Sequence, residues 1–175
     1  YAYGVWATGG SMNVGKGYIG SAGASTRDSS FIFGGAAPPG GYVGTAELYN
    51  GSAWAELNDL NTSRANLGGA GVSTSALAIG GEVSPNSQQV LNETWNGTSW
   101  TEVNDLNTGR NGLRGCGTNT ASLAFGGYTT TQVAITESWN GTSWTEVNDL
   151  NNVRTYPGAA GTYTAALAFG GSYPV

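Results

Sequence analysis

The sequence predicts an all-β fold, a propeller of four-stranded antiparallel blades made from four repeats of about 46 residues. The last blade is expected to be shared between the N- and C-termini. Two observations carry this. The first is the run Glu137-Ser138-Trp139-Asn140-Gly141-Thr142-Ser143-Trp144, which recurs almost unchanged as Glu93 to Trp100 and more weakly as Glu47 to Trp54. Each copy sets Asn-Gly between two short segments carrying an aromatic, which reads as a β-hairpin with a two-residue type I′ turn. The second is a shared period. Trp6, Trp54, Trp100 and Trp144 are spaced by 48, 46 and 44, as are Lys16, Arg64, Arg110 and Arg154. The Gly-Gly pairs at Gly34, Gly80, Gly126 and Gly170 follow at 46, 46 and 44. Repeats of 40–50 residues containing several short strands are the signature of propeller blades.

The third repeat shows the order of elements within a unit. A Gly-rich strand runs from Arg110 to Thr118, and Ala121 to Phe125 forms a second strand ended by Gly126-Gly127. After a variable loop from Tyr128 to Gln132, strands follow at Val133–Trp139 and Ser143–Val147. In the second strand, Phe31/Phe33, Leu77/Ile79, Leu123/Phe125 and Leu167/Phe169 point one way. Ala76/Ala78, Ser122/Ala124 and Ala166/Ala168 point the other, because strand side chains alternate. Blades of this kind pack bulky face to small face. The repeats divide the chain into 13–59, 60–106, 107–150, and 151–175 plus 1–12, as one domain. Only 10 residues join Gly171 to Trp6 across the two ends, so the fourth blade is expected to be thin or open.

Hydrophobics ending in Gly-Gly, an aromatic and a Trp a few residues apart, and an Arg opening the next unit resemble the kelch repeat over essentially the whole chain. The aromatic pairs are Tyr49/Trp54, Trp95/Trp100 and Trp139/Trp144. The resemblance implies that the Gly-rich strand is innermost and that the loops after Gly-Gly form a face often used for binding. The polar, Gly/Thr/Asn-rich repeats are also similar to kelch-like proteins of marine bacteria and their phages, which implies an adhesin- or fibre-like role outside the cell or on a virion. The hairpin resembles the Asp-box of sialidase propellers, but with Asn140 for the Asp and no arginine triad, sialidase activity does not carry over. Galactose oxidase, a protein with kelch blades, holds copper through His ligands, and this chain has no His.

Composition narrows the function. Thirty of the 175 residues are Gly and 10% are charged, with 39% hydrophobic content and six Trp. A chain of this length buries roughly 70% of its unfolded surface as one domain. A net charge of −5 with six scattered basic residues argues against nucleic acid, which needs a basic surface. Lacking His, the chain lacks the commonest general base and metal ligand. Catalytic residues, metal sites and cofactors are therefore not expected. Cys116 stands where Ala22, Ala70 and Ala160 stand elsewhere, a place for a small buried side chain. No segment nears the ~18 apolar residues that span a bilayer. The chain opens on Tyr1 in mid-pattern, which reads as a processed product or a piece of a longer protein.

Glu47, Glu93 and Glu137 share a strand face with the aromatics, and a carboxylate there needs a partner. Arg64, Arg110 and Arg154 are the expected partners, in a structural rather than catalytic pair. Asp59, Asp105 and Asp149 read as turn caps. Departures from the repeat mark candidate ligand-binding residues. Arg114 replaces a glycine on an innermost strand, with Asn111 and Tyr156 nearby at the channel mouth. The loops after Gly-Gly contribute Tyr42, Asn86, Gln88 and Tyr128. A constant framework with varying loops is how binding scaffolds work. In a secretory setting Asn50, Asn96 and Asn140 would accept glycans. Three readings follow: a binding module for a protein or glycan surface, a subunit assembling head-to-tail through the open fourth blade, and a hydrolase or lyase at the channel mouth.

Overall fold

A computed structural model of the chain describes residues 9–23 and 28–172. Among them every regular element is a β-strand. The first sheet holds β1 (Gly20–Ser21) and β2 (Ser30–Phe33). A side hairpin of β3 (Ala36–Ala37) and β4 (Gly41–Tyr42) precedes its outer strands, β5 (Ala46–Tyr49) and β6 (Trp54–Leu57). The second sheet is an antiparallel meander of β7 (Gly68–Val72), β8 (Ser75–Ile79), β9 (Asn92–Trp95) and β10 (Trp100–Val103). The third repeats it with β11 (Arg114–Gly117), β12 (Ser122–Phe125), β13 (Thr136–Trp139) and β14 (Trp144–Val147). The fourth repeat contributes the pair β15 (Gly158–Thr162) and β16 (Ala165–Phe169). Its expected outer strand, from Tyr1 to Gly10, falls almost wholly on residues 1–8, outside the described residues, as does Trp6.

The hairpin turn sits one residue later than the type I′ reading places it. Trp95 faces Trp100, and Asn96 N–H donates to Ser99 O at 3.3 Å, so Gly97 and Thr98 are the central pair. Positive φ occurs at Gly97 (94°) and not at Asn96, which matches a type II′ turn. The reason is the Asn96 side chain. Its Oδ1 accepts the N–H groups of Thr98 and Ser99, both at 2.9 Å, so the asparagine caps the turn from outside. Asn50 and Asn140 do the same.

Bulky faces meet small ones between successive sheets. Phe31 and Phe33 share a core with Ala76, Ala78, Trp95 and Trp100 of the next sheet. Phe31 stacks on Trp100 at 5.8 Å and 16°, and Phe33 meets it edge-on at 4.9 Å. Leu77 and Ile79 likewise lie with Ala124, Trp139 and Trp144. Aromatic contacts of this geometry contribute about 0.5–1.5 kcal/mol each beyond the buried area.

The basic residue of each unit joins neighbouring sheets. Arg64 O accepts Gly35 N–H at 2.9 Å from the first sheet, while Arg64 Nη1 donates to Glu93 Oε1 at 2.8 Å in the second. Arg110 accepts from Gly81 and reaches Glu137 in the same way. Asn61 N–H and Nδ2 complete the shell around Glu93 Oε2, at 2.7 and 2.9 Å. The partnership differs from the expected one in two places. Glu47 takes Lys16, at 3.4 Å, and Arg154 donates to Gly170 O with no carboxylate partner among the described residues. Gly-Gly makes the approach feasible. Both glycines have positive φ, and a Cβ on Gly34 would stand 2.6 Å from Arg64 O.

The inner strands lie in series, β1 beside β7, β7 beside β11, and β11 beside β15. Their small residues let the backbones touch. A Cβ on Gly69 would sit 2.3 Å from Ser21 O, and one on Gly115 would sit 2.7 Å from Gly69 O. Residues of all four repeats, including Gly23, Ala70, Cys116 and Ala160, bound one cavity of about 330 Å³. Burial raises the Cys116 thiol above its ordinary pKa, keeping it protonated.

Replacing Glu93 with Gln leaves the Arg64 charge buried without its counterion. Urea unfolding should show a loss of about 3–5 kcal/mol; a loss below about 1 kcal/mol would mean that the buried pair is not what holds adjacent sheets together.

Candidate functional site

Each repeat enters its inner strand through a residue in the left-handed region: Tyr18 (φ 56°), Asn66 (57°), Gly112 (62°) and Tyr156 (53°). Backbone hydrogen bonds link these equivalent positions. Asn66 N–H donates to Tyr18 O at 2.8 Å, Gly112 to Asn66 at 2.8 Å, and Tyr156 to Gly112 at 2.7 Å. Gly112 is the residue suited to that conformation. Tyrosine is not, and such backbone strain concentrates at functional sites. The Tyr156 ring lies over Gly112, where a Cβ would stand 3.1 Å from Cζ.

Beside this ladder sits Glu82, buried and directly after Gly80-Gly81. Its Oε1 accepts the Tyr42 hydroxyl at 2.7 Å and Asn66 Nδ2 at 2.8 Å, and its Oε2 accepts Asn111 Nδ2. Glu82 lines a cleft of about 280 Å³ with Pro85, Asn86, Asn111, Tyr128 and Tyr156. A neighbouring pocket of about 220 Å³ is walled by Tyr18, Asn66, Arg114 and Tyr156. Tyr156 therefore borders both.

Of the residues singled out in the sequence, Asn86, Asn111, Tyr128 and Tyr156 meet in the first cleft, and Arg114 meets Tyr156 in the second. Tyr42 joins them through Glu82. Gln88 pairs with Glu82 through the backbone. The hairpin residues Asn50, Asn96 and Asn140 are exposed at the turns. Sequence reasoning does not single out Glu82, Tyr18 or Asn66. The signal for Glu82 is weaker than the one that finds Arg114: its position differs in every repeat, and against Ala36, Tyr128 and Ser172 it is the charged one of the four.

The electrostatics follow from burial. Desolvation lowers the Arg114 pKa, opposed by the nearby Tyr156. Burial raises Tyr156, the Glu82 charge adds to that, and Arg114 opposes it. Burial, then the hydrogen bond to Glu82 and its charge, push Tyr42 up to about 12. Tyr42 is thus a hydrogen-bond donor at any ordinary pH.

No protein-family model matches the chain, and no curated protein matches it. Among the described residues, no helix is long and apolar enough to cross a membrane.

Because Tyr42 titrates higher in the fold than in the unfolded chain, its contribution to stability is full below pH 10 and is lost as the pH rises through about 12. Ultraviolet titration of the phenolates should show a late-ionising tyrosine that Tyr42→Phe removes. An unchanged curve would show that the hydroxyl is not held by Glu82.

Proposed function

We propose that this chain is a non-enzymatic binding module, a kelch-like β-propeller that takes a glycan or protein surface outside the cell or on a virion. Its binding face carries the loops after Gly-Gly. The observation supporting this most directly is the cleft at Glu82, because three repeats contribute polar and aromatic side chains to it. Concave sites with aromatic walls and a few convergent polar groups are the usual form of ligand pockets. The propeller reading draws support from four inner strands lying in series, from one cavity bounded by residues of all four repeats, and from bulky-to-small packing between sheets. A glycosidase-type site needs two carboxylates facing one bond; in this cleft Glu82 is the one that lines the wall among the described residues.

A second reading has a specific observation behind it. Leu167 and Phe169 are 62% and 50% exposed, whereas their counterparts Phe31, Phe33, Leu77 and Ile79 are buried. The open face suits the aromatic pair of another copy, which would build a head-to-tail assembly.

For the leading reading, a glycan array and a pull-down with the wild-type chain should each return a ligand. Tyr128→Ala and Tyr156→Ala should weaken that binding about tenfold or more, while Asn50→Ala leaves it intact. Blank results together with turnover on a sugar or ester panel would defeat the reading. For the second, the mass in solution should rise with concentration, and Phe169→Glu should hold the chain at one copy; a constant single-copy mass for the wild type would rule assembly out.

A further inference from the structure

Four glutamates are buried among the described residues, and one differs from the other three. Glu47, Glu93 and Glu137 each face a lysine or arginine. Glu82, 7% exposed, joins no ion pair among the described residues, and its partners are a phenol and two amides. A buried carboxylate without a counterion is costly, and neutral hydrogen bonds recover only part of that cost. Oε2 accepts a single side-chain hydrogen bond and has capacity for more. Glu82 is part of the cleft wall.

The surroundings suit a cation carried on a polar ring. Tyr128 and Tyr156 stand in the wall, and tyrosine faces attract ammonium groups and stack on sugar rings. Asn86 and Asn111 supply further polar groups. Asn66, more than nine-tenths buried, donates Nδ2 to Glu82, while its Oδ1 has no hydrogen-bond partner. Asn66 also walls the adjoining pocket, and its Nδ2 ties the amide that carries this unfilled acceptor to the carboxylate. The volume of about 280 Å³ lies at the small end of ligand cavities, the scale of a single ring with its substituents.

We propose that the Glu82 cleft is an amino-sugar subsite, in which the protonated amine of the sugar provides the counter-charge that Glu82 lacks within the protein. The ammonium donates to Glu82 Oε2, and the sugar ring lies among Tyr128, Tyr156 and Asn86. The inference rests on the glycan-binding reading above and specifies its ligand. An N-acetylated sugar of the same shape has no charge to offer.

The test is calorimetric titration of the wild-type chain, near pH 6, with tetraglucosamine, with its fully N-acetylated counterpart, and with Nα-acetyl-lysine amide. The free amine should bind about tenfold to a hundredfold tighter than the N-acetylated tetramer, as expected for a charge-assisted hydrogen bond. Glu82→Gln should abolish that preference. If Glu82→Gln fails to fold by circular dichroism, the wild-type comparison and Tyr128→Ala, which should weaken both tetramers, still decide the matter. Equal affinity for the two tetramers would overturn the amine subsite and leave glycan binding standing. So would no binding of either tetramer alongside a positive glycan array. Equal affinity for the lysine derivative would overturn the sugar while keeping the ammonium. A blank array together with three blank titrations would remove the glycan reading itself.

Discussion

Adjacent sheets in this protein are joined by a basic residue that belongs to both. The carbonyl of Arg64 accepts from the Gly-Gly segment of one sheet, and its guanidinium is held by Glu93 in the next. Arg110 repeats the arrangement one unit later. Sealing these charges from water is unfavourable unless the carboxylate is saturated with donors. Asn61 and Asn107 supply the remaining donors to the glutamates from the linker. Several features follow from that one requirement. The linker cannot wander, the Gly-Gly pair cannot carry side chains, and each sheet is placed where its small face meets the bulky face before it.

The same constraint explains where variation is tolerated. The arginine, glutamate, Gly-Gly and aromatic pair recur because each touches a neighbouring unit. The residue after each Gly-Gly pairs through its backbone with the residue following the basic residue of its own unit, a contact any side chain allows, and there the repeats diverge into Ala36, Glu82, Tyr128 and Ser172. Successive repeats sit side by side, so these single departures converge. Asn66, Glu82, Asn111 and Tyr156 come from three units and meet at the mouth of the inner strands. A site of this kind has no motif within any one repeat.

Much of the fold is legible in the residues. The spacing of Trp, Gly-Gly and the basic residue locates every strand of the third unit to within a few positions, because each marker occupies a place where only that chemistry fits. Two readings fail locally for physical reasons. The hairpin turn is displaced because the Asn96 side chain takes the Thr98 and Ser99 N–H groups, the first of which a type I′ turn would give to the Trp95 carbonyl. The pairing of Glu47 with Lys16 places each basic residue with the glutamate that follows it, a register that spacing alone leaves open.

By itself, then, the sequence determined the strands, their order within a unit, the alternation of bulky and small faces, and the need for a cation beside each repeated glutamate. These are local or periodic properties, set by side-chain alternation and turn chemistry. The tertiary structure alone decided which cation meets which glutamate, and that the odd residues of three repeats share one cleft around Glu82. The hydrogen bonds to Glu82 join residues 16 to 40 positions apart. They depend on how sheets stack, and no pattern along the chain encodes that distance.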